Sequence, residues 1–141
     1  MTHYKCVLIA VDLNGNNDQL LHRARTMTSA ATTHLVHVAE QPVTGYGDAT
    51  GQNRSVNEMN VRQEAYPKLT ALANDHGLAH ENLHIVFGDL GQAVQQLAVA
   101  LNADLIVTGS HGKHGLKRFL SSTSSKIQGG AKRDVLTIYT G

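Results

Sequence analysis

Short apolar runs of strand length alternate along this chain with longer segments in which apolar residues recur at helical spacing. The runs are rich in Val, Ile and Leu on both faces, which is typical of parallel strands covered by helices on each side. Five strands are predicted: Lys5–Asp12, His34–Ala39, Leu83–Phe87, Asp104–Thr108 and Val135–Tyr139. The pattern predicts an α/β fold, a doubly wound five-stranded parallel sheet in one domain over residues 1–141, a length ordinary for one domain.

The segments between the runs predict the helices. Asp18 is predicted to cap one helix, and others are predicted at Glu58–His76, Gly91–Asn102, Lys117–Leu120 and Thr123–Gln128. Gln41–Asn57 shows no period and is predicted to be a surface loop. Because proline lacks an amide hydrogen, Pro67 should kink or split its helix.

Composition limits the classes of function. The apolar run Cys6–Val11 stops at Asp12, too early for a signal segment or a membrane span. One cysteine cannot form an internal disulfide, so we expect a cytoplasmic protein. With four Tyr, two Phe and no Trp, a stacking platform for single-stranded nucleic acid is not expected.

The net charge is +1, but six of the twelve Lys and Arg lie between Lys113 and Arg133. Such a basic segment suits an anionic ligand, and it equally suits a solvated helix face. Duplex DNA binding through this segment is a third, lesser alternative, and it predicts salt-sensitive affinity.

Gly109-Ser110-His111-Gly112 follows a predicted buried strand, a place where α/β proteins tend to hold phosphates. Asp12 ends the first strand at the edge where open α/β sheets bind ligands, and two roles remain open for it: ligand contact or an Asx-turn. The run Ser121–Ser125 either caps a helix or grips a phosphate. Neither a Walker A sequence nor a GxGxxG motif after the first strand is present.

The histidines do not predict a metal site. His34 and His37 are three apart on a strand and therefore point to opposite faces. The dense Cys/His spacing of structural zinc sites is absent. Neither a metal ligand nor a catalytic residue is expected.

Four segments together resemble the universal stress protein family: Val7–Asp12, His37-Val38, Gly88-Asp89 and Gly109–Arg118. The signature of its nucleotide-binding members is G-x2-G-x9-G-[S/T]. Gly109, Gly112 and Thr123 fit that signature, while Ser122 stands where the third glycine should be. The resemblance implies a Rossmann-like fold of the adenine nucleotide alpha hydrolase type.

The same resemblance implies an ATP site, with Mg²⁺. Asp12 would contact the ribose or the adenine edge, and Val38 would pack on adenine. The phosphates would lie near Gly109, Gly112 and the Ser122–Ser124 segment, in which Thr123 supplies a hydroxyl. Glycine permits a positive φ and close approach of the phosphates to the backbone, and the Cβ of Ser122 obstructs both. ATP binding therefore depends on the backbone conformation at Ser122.

Leu120-Ser-Ser-Thr and Gly88-Asp-Leu-Gly-Gln resemble the universal stress protein A subgroup, whose members often lack ATP. The expected function is a stress-response binding or regulatory module without turnover, homodimeric through Val135–Tyr139. The alternative is an ATP-binding switch with slow hydrolysis or autophosphorylation within Ser121–Ser125.

Overall fold

A computed structural model of the chain describes residues 4–39, 52–110 and 134–139, with the backbone alone at 52–56 and at 110. The described elements, in chain order, are β1 (Cys6–Val11), α1 (Asp18–Met27), β2 (Thr32–Ala39), α2 (Gln52–Asp75), β3 (Leu83–Phe87), α3 (Leu90–Leu101), β4 (Leu105–Ser110) and β5 (Asp134–Tyr139). A short 3-10 turn, His80–Asn82, precedes β3.

The five strands form one parallel sheet in the order β3-β2-β1-β4-β5. The predicted α/β parallel sheet is therefore confirmed. The chain winds outward from β1 to β3, then crosses back to β4 on the other side of β1. This reversal leaves a switch point between the carboxyl ends of β1 and β4, where open α/β sheets form a ligand crevice.

Alternate residues of the strands supply two separate cores, because successive side chains point to opposite faces. On one face α1 and α2 pack on the sheet, with the buried residues Val7, Ile9, Val11, Leu20, Leu21, Ala24, Leu35, Ala65, Leu69, Ile85, Leu105, Val107 and Ile138. On the other face α3 packs, with Leu8, Ala10, Val36, Val94, Ala98, Ala103 and Ile106. Apolar residues at both parities are what a sheet covered on both faces requires.

The second helix differs from its prediction in two respects. It begins at Gln52, so the last six residues of the predicted loop Gln41–Asn57 are helical. It also continues past Pro67 without being split. Pro67 is exposed, and the buried Ala65, Leu69 and Ala73 hold the helix against the sheet on both sides of it. Tertiary packing here outweighs the local cost of proline.

The fourth strand is longer than predicted. It extends to Ser110 rather than ending at Thr108, because Gly109 and Ser110 pair with Ile138 and Tyr139 of β5. The two helices predicted at 117–120 and 123–128 lie outside the described residues. Within the part of the chain that the structure describes, no helix is long and apolar enough to cross a membrane.

Candidate functional site

Three predicted site residues meet at the carboxyl edge of the sheet. Val11 pairs with His37 of β2, and Ala10 pairs with Thr108 of β4. Continuing these registers by one residue places Asp12 beside Val38 on one side, and Val11 beside Gly109 on the other. The segment that ends β1 thus lies between the other two candidates, at the switch point.

The loop after β1 is held by a buried side chain, Asn17, which is 9% exposed. Its Nδ2 donates to the Asp12 carbonyl (2.7 Å) and to the Gly15 carbonyl (3.3 Å), and its Oδ1 accepts from the Asp12 amide (3.2 Å). The Gly15 amide also donates to the Asp12 carbonyl, at 3.0 Å. Asn17 therefore positions the backbone of Asp12, a role that its place before a helix did not reveal.

The carboxylate of Asp12 is exposed and forms an Asx-turn, since its Oδ1 accepts from the Asn14 amide at 3.0 Å. This is one of the two roles left open for Asp12 by the sequence. Among the described residues, no hydrogen bond engages the second oxygen, Oδ2. The turn and a ligand contact are thus compatible, because they would use different oxygens.

Val38 is half-buried and packs against the core on the α3 face, so part of its side chain stays accessible at the edge. The loop Gly88-Asp89 lies at the same edge, since the Gly88 amide donates to the Ala39 carbonyl at 3.2 Å. Asp89 caps α3 by accepting from the Gln92 amide at 3.0 Å. The amino terminus of α3 therefore faces this edge, and its partial positive charge favours an anion there.

Four other candidates, Gly112, Ser122, Thr123 and Ser124, lie outside the described residues. Gly109 itself lies in β4 and is half-buried. The described part of the candidate site is thus Asp12 and Val38, expected at the nucleoside, with Gly109, expected at the phosphates.

The third aspartate beside a strand, Asp104, holds the start of β1. Asp104, at the opposite edge, accepts from the amides of Lys5 and Cys6 at 3.0 Å each. Burial raises the pKa of Asp104, but these backbone hydrogen bonds outweigh it and leave the pKa below its ordinary value. Burial, with Asp104 nearby, raises the pKa of the half-buried Cys6 thiol, which is typical of an inert cysteine.

The structure pairs two histidines that no sequence spacing connects. His34 Nδ1 lies 3.0 Å from His84 Nε2, although the residues are 50 apart along the chain. His37 lies on the other face of β2, with its Nδ1 3.3 Å from the Val11 carbonyl. Within the described ranges, no group of three or more His, Cys, Asp or Glu side chains could hold a metal ion.

Sheet order and covering helices define the class: a doubly wound α/β protein with a topological switch point between β1 and β4. The sequence profile of the universal stress protein family matches residues 3–138. The chain belongs to the universal stress protein family. It is 36% identical over 140 residues to universal stress protein A homolog 1 of Coxiella burnetii, covering 97% of each chain.

Solved structures share the fold. The hypothetical protein MJ0577 superimposes with a TM-score of 0.69 at 19% identity, over 99% of both chains. A universal stress protein in complex with cAMP gives 0.57 at 23% identity, over 99% of this chain and 100% of that one. A family protein from Arabidopsis thaliana with AMP bound gives 0.52 at 15% identity, over 97% and 92%.

Proposed function

We propose that this chain is a regulatory module that binds an adenine nucleotide at the carboxyl edge between β1 and β4, without turnover of its own. The observation that carries the proposal is the convergence of Asp12, Val38 and Gly109 on that switch point. An apolar side chain beside a carboxylate suits a nucleoside, whose base is flat and apolar on its faces and whose ribose offers hydroxyl donors.

Two further facts support an adenine nucleotide. Structures with the same fold carry cAMP in one case and AMP in another. The basic segment between Lys113 and Arg133 follows β4 in the sequence and supplies positive charge suited to phosphates. ATP with Mg²⁺ is the nucleotide that the sequence signature favours, and AMP and cAMP are the other members of the class to compare.

Titration calorimetry on the full chain tests this proposal, with ATP and Mg²⁺, AMP and cAMP in separate arms. Asp12→Asn should weaken binding about tenfold or more, because it removes a charged hydrogen-bond acceptor worth about 1.5–3 kcal/mol. The asparagine oxygen can still accept from the Asn14 amide, so the turn is retained. Asp75→Asn is the matched control: its exposed carboxylate ends α2, at the other edge of the sheet.

The position of the missing glycine has its own test. If the Cβ of Ser122 obstructs the phosphates, Ser122→Gly should bind ATP more tightly than the unaltered chain while AMP affinity changes little. No heat from any of the three nucleotides at millimolar concentration would refute the proposed function.

We also propose that the protein is a homodimer paired through β5. The two outer strands of the sheet, β3 and β5, differ in how far side chains cover their backbone. On β3, Arg62 of α2 donates to the Ile85 carbonyl at 2.8 Å, and its guanidinium lies 5.0 Å from the centre of the Phe87 ring. That side chain occupies an edge carbonyl in the middle of β3. Within the described part of the chain, side-chain hydrogen bonds to β5 occur only near its ends, at the Asp134 carboxylate and at the Tyr139 carbonyl. A strand with an open edge favours pairing with another strand.

Light scattering after size exclusion tests the dimer, with an expected mass of twice the 15.2 kDa of one chain. Tyr139 is 70% exposed on β5, so Tyr139→Lys would bring a charge that must be desolvated into the proposed interface from each copy and should shift the protein towards monomer. Tyr66→Lys, on the exposed face of α2, is the matched control and should stay dimeric. A monomeric unaltered chain at micromolar concentration would contradict the proposal.

The cytoplasm is the compartment we propose, because the one cysteine is a free thiol.

A further inference from the structure

The two histidines of the β2–β3 pair lie on the α3 face of the sheet, away from the nucleotide edge. His34 is beside the fully buried Leu8 of β1, and His84 is beside Val36, so both rings border the second core. Each ring is half-buried, and the ring centres are 5.2 Å apart with an angle of 31° between the planes. The pair lies towards the amino ends of β2 and β3, whereas Asp12 and Val38 lie at the carboxyl ends.

The two facing nitrogens share one hydrogen-bonding proton. His34 Nδ1 and His84 Nε2 are 3.0 Å apart, so one of them carries the hydrogen and the other offers its lone pair. Burial lowers the pKa of both imidazoles, and for His84 the neighbouring His34 lowers it further. Both rings are therefore neutral at neutral pH, which is the state of histidine that binds metals.

The separation of these nitrogens is close to that of two imidazoles on one metal ion. Zinc–nitrogen bonds of about 2.0–2.1 Å at a tetrahedral angle place the two nitrogens about 3.3 Å apart. The observed 3.0 Å is slightly shorter, so the rings would move apart a little and turn until both lone pairs point at the ion. Each ring would then present a lone pair to the ion and keep its hydrogen on the outer nitrogen. This is a change of tautomer in one ring, with no net loss of a proton.

We propose that His34 and His84 form a two-imidazole binding site for a divalent transition-metal cation, with Zn²⁺ as the representative ion and water in the remaining positions. Imidazole suits Zn²⁺, Cu²⁺ and Ni²⁺, whereas Mg²⁺ prefers oxygen ligands. The site is thus chemically distinct from any Mg²⁺ that accompanies a nucleotide. The described residues supply two protein ligands here and no third, so the ion remains open to exchange with solvent.

Zinc titration of the full chain without nucleotide tests the site, by calorimetry and by thermal unfolding at increasing Zn²⁺. One zinc per chain should bind at neutral pH and raise the melting temperature. His34→Gln and His84→Gln should each weaken that site at least about tenfold, since even residues that only support metal ligands cost 10–100-fold when lost. His22→Gln, an exposed histidine of α1, is the matched control and should bind as the unaltered chain does. Mg²⁺ should give no shift.

Equal zinc affinity in the unaltered chain and in both His34 and His84 variants would overturn the proposal. So would variants that lose stability in the metal-free state without losing zinc affinity, because the pair would then be only a hydrogen bond. Electron paramagnetic resonance with substoichiometric Cu²⁺, recorded on the unaltered chain and on His84→Gln, counts the ligating nitrogens that the pair supplies. Loss of an imidazole nitrogen in the variant supports the site, and identical spectra refute it.

Discussion

The replacement of Asn17 by alanine is expected to destabilise the protein more than any other single change in the loop after β1. The side chain makes three hydrogen bonds, two with the Asp12 backbone and one with the Gly15 carbonyl. It is 9% exposed, so water cannot fully replace the lost partners. The same change releases Asp12, the residue proposed to contact the nucleoside.

The magnitude follows from those bonds. A buried hydrogen bond contributes about 1 kcal/mol net, and leaving a partner unsatisfied adds to the loss. The bond at 3.3 Å is long and contributes less than the two that engage Asp12. The expected decrease in the free energy of unfolding is about 3 kcal/mol. With a urea slope of about 2 kcal/mol per molar, the unfolding midpoint should fall by about 1.5 M.

Urea unfolding followed by circular dichroism measures this shift, and Asn16→Ala is the matched control. Asn16 is exposed and makes one side-chain bond, from the Asp18 amide at 3.0 Å, so its loss should cost about 1 kcal/mol or less. Nucleotide affinity should also fall in Asn17→Ala and not in Asn16→Ala. Equal midpoints for the two variants would refute the assignment of Asn17 as the residue that holds the loop.

Three further predictions concern stability. Gly77→Ala should lower the free energy of unfolding by about 1 kcal/mol, because Gly77 has φ +67°, a conformation that costs energy once a Cβ is present. Gly15→Ala is the control and should be nearly neutral, because a Cβ fits there and the backbone has no such φ; thermal melts compare the two variants. Pro67→Ala should stabilise the protein by about 1–2 kcal/mol, because it restores a backbone donor inside a continuous helix; a lower urea midpoint would contradict this. His34 and His84 have pKa values below the ordinary 6.5, so the unfolded chain binds protons more readily. Their contribution to the free energy of unfolding is therefore complete above pH 6.5, and it is lost as the pH falls through 6.5 towards the pKa values of the folded state. Between pH 8 and pH 5 the free energy of unfolding should fall less in His84→Gln than in the unaltered chain. Equal decreases in the two proteins would refute the lowered pKa of His84.

The strands could be predicted closely because their signal is local and strong. Leu83–Phe87 is observed with the bounds predicted for it, and β1 loses one residue at each end. The apolar pattern predicts that the fourth strand ends before Gly109, yet pairing with Ile138 keeps Gly109 in β4. Pro67 predicts a kinked or split helix because it lacks an amide hydrogen, yet packing of its neighbours keeps α2 continuous. Both errors arise where long-range contacts override a local preference.

The fold class could be predicted from local sequence patterns alone, and so could the candidate site at the carboxyl edge of the sheet. A sheet covered on both faces needs apolar residues at successive positions of its strands. The sequence of β1 shows this pattern, and Val7 to Val11 are all buried. The end of the apolar run also marks the end of the strand, so the sequence predicts that Asp12 lies at the carboxyl edge of the sheet. Which strands are neighbours becomes known from the tertiary structure and from nothing local. Strand order and register bring Val38 to Asp12, and they bring His34 to His84 across 50 residues. Such pairings depend on the packing of the whole sheet, which no local pattern encodes.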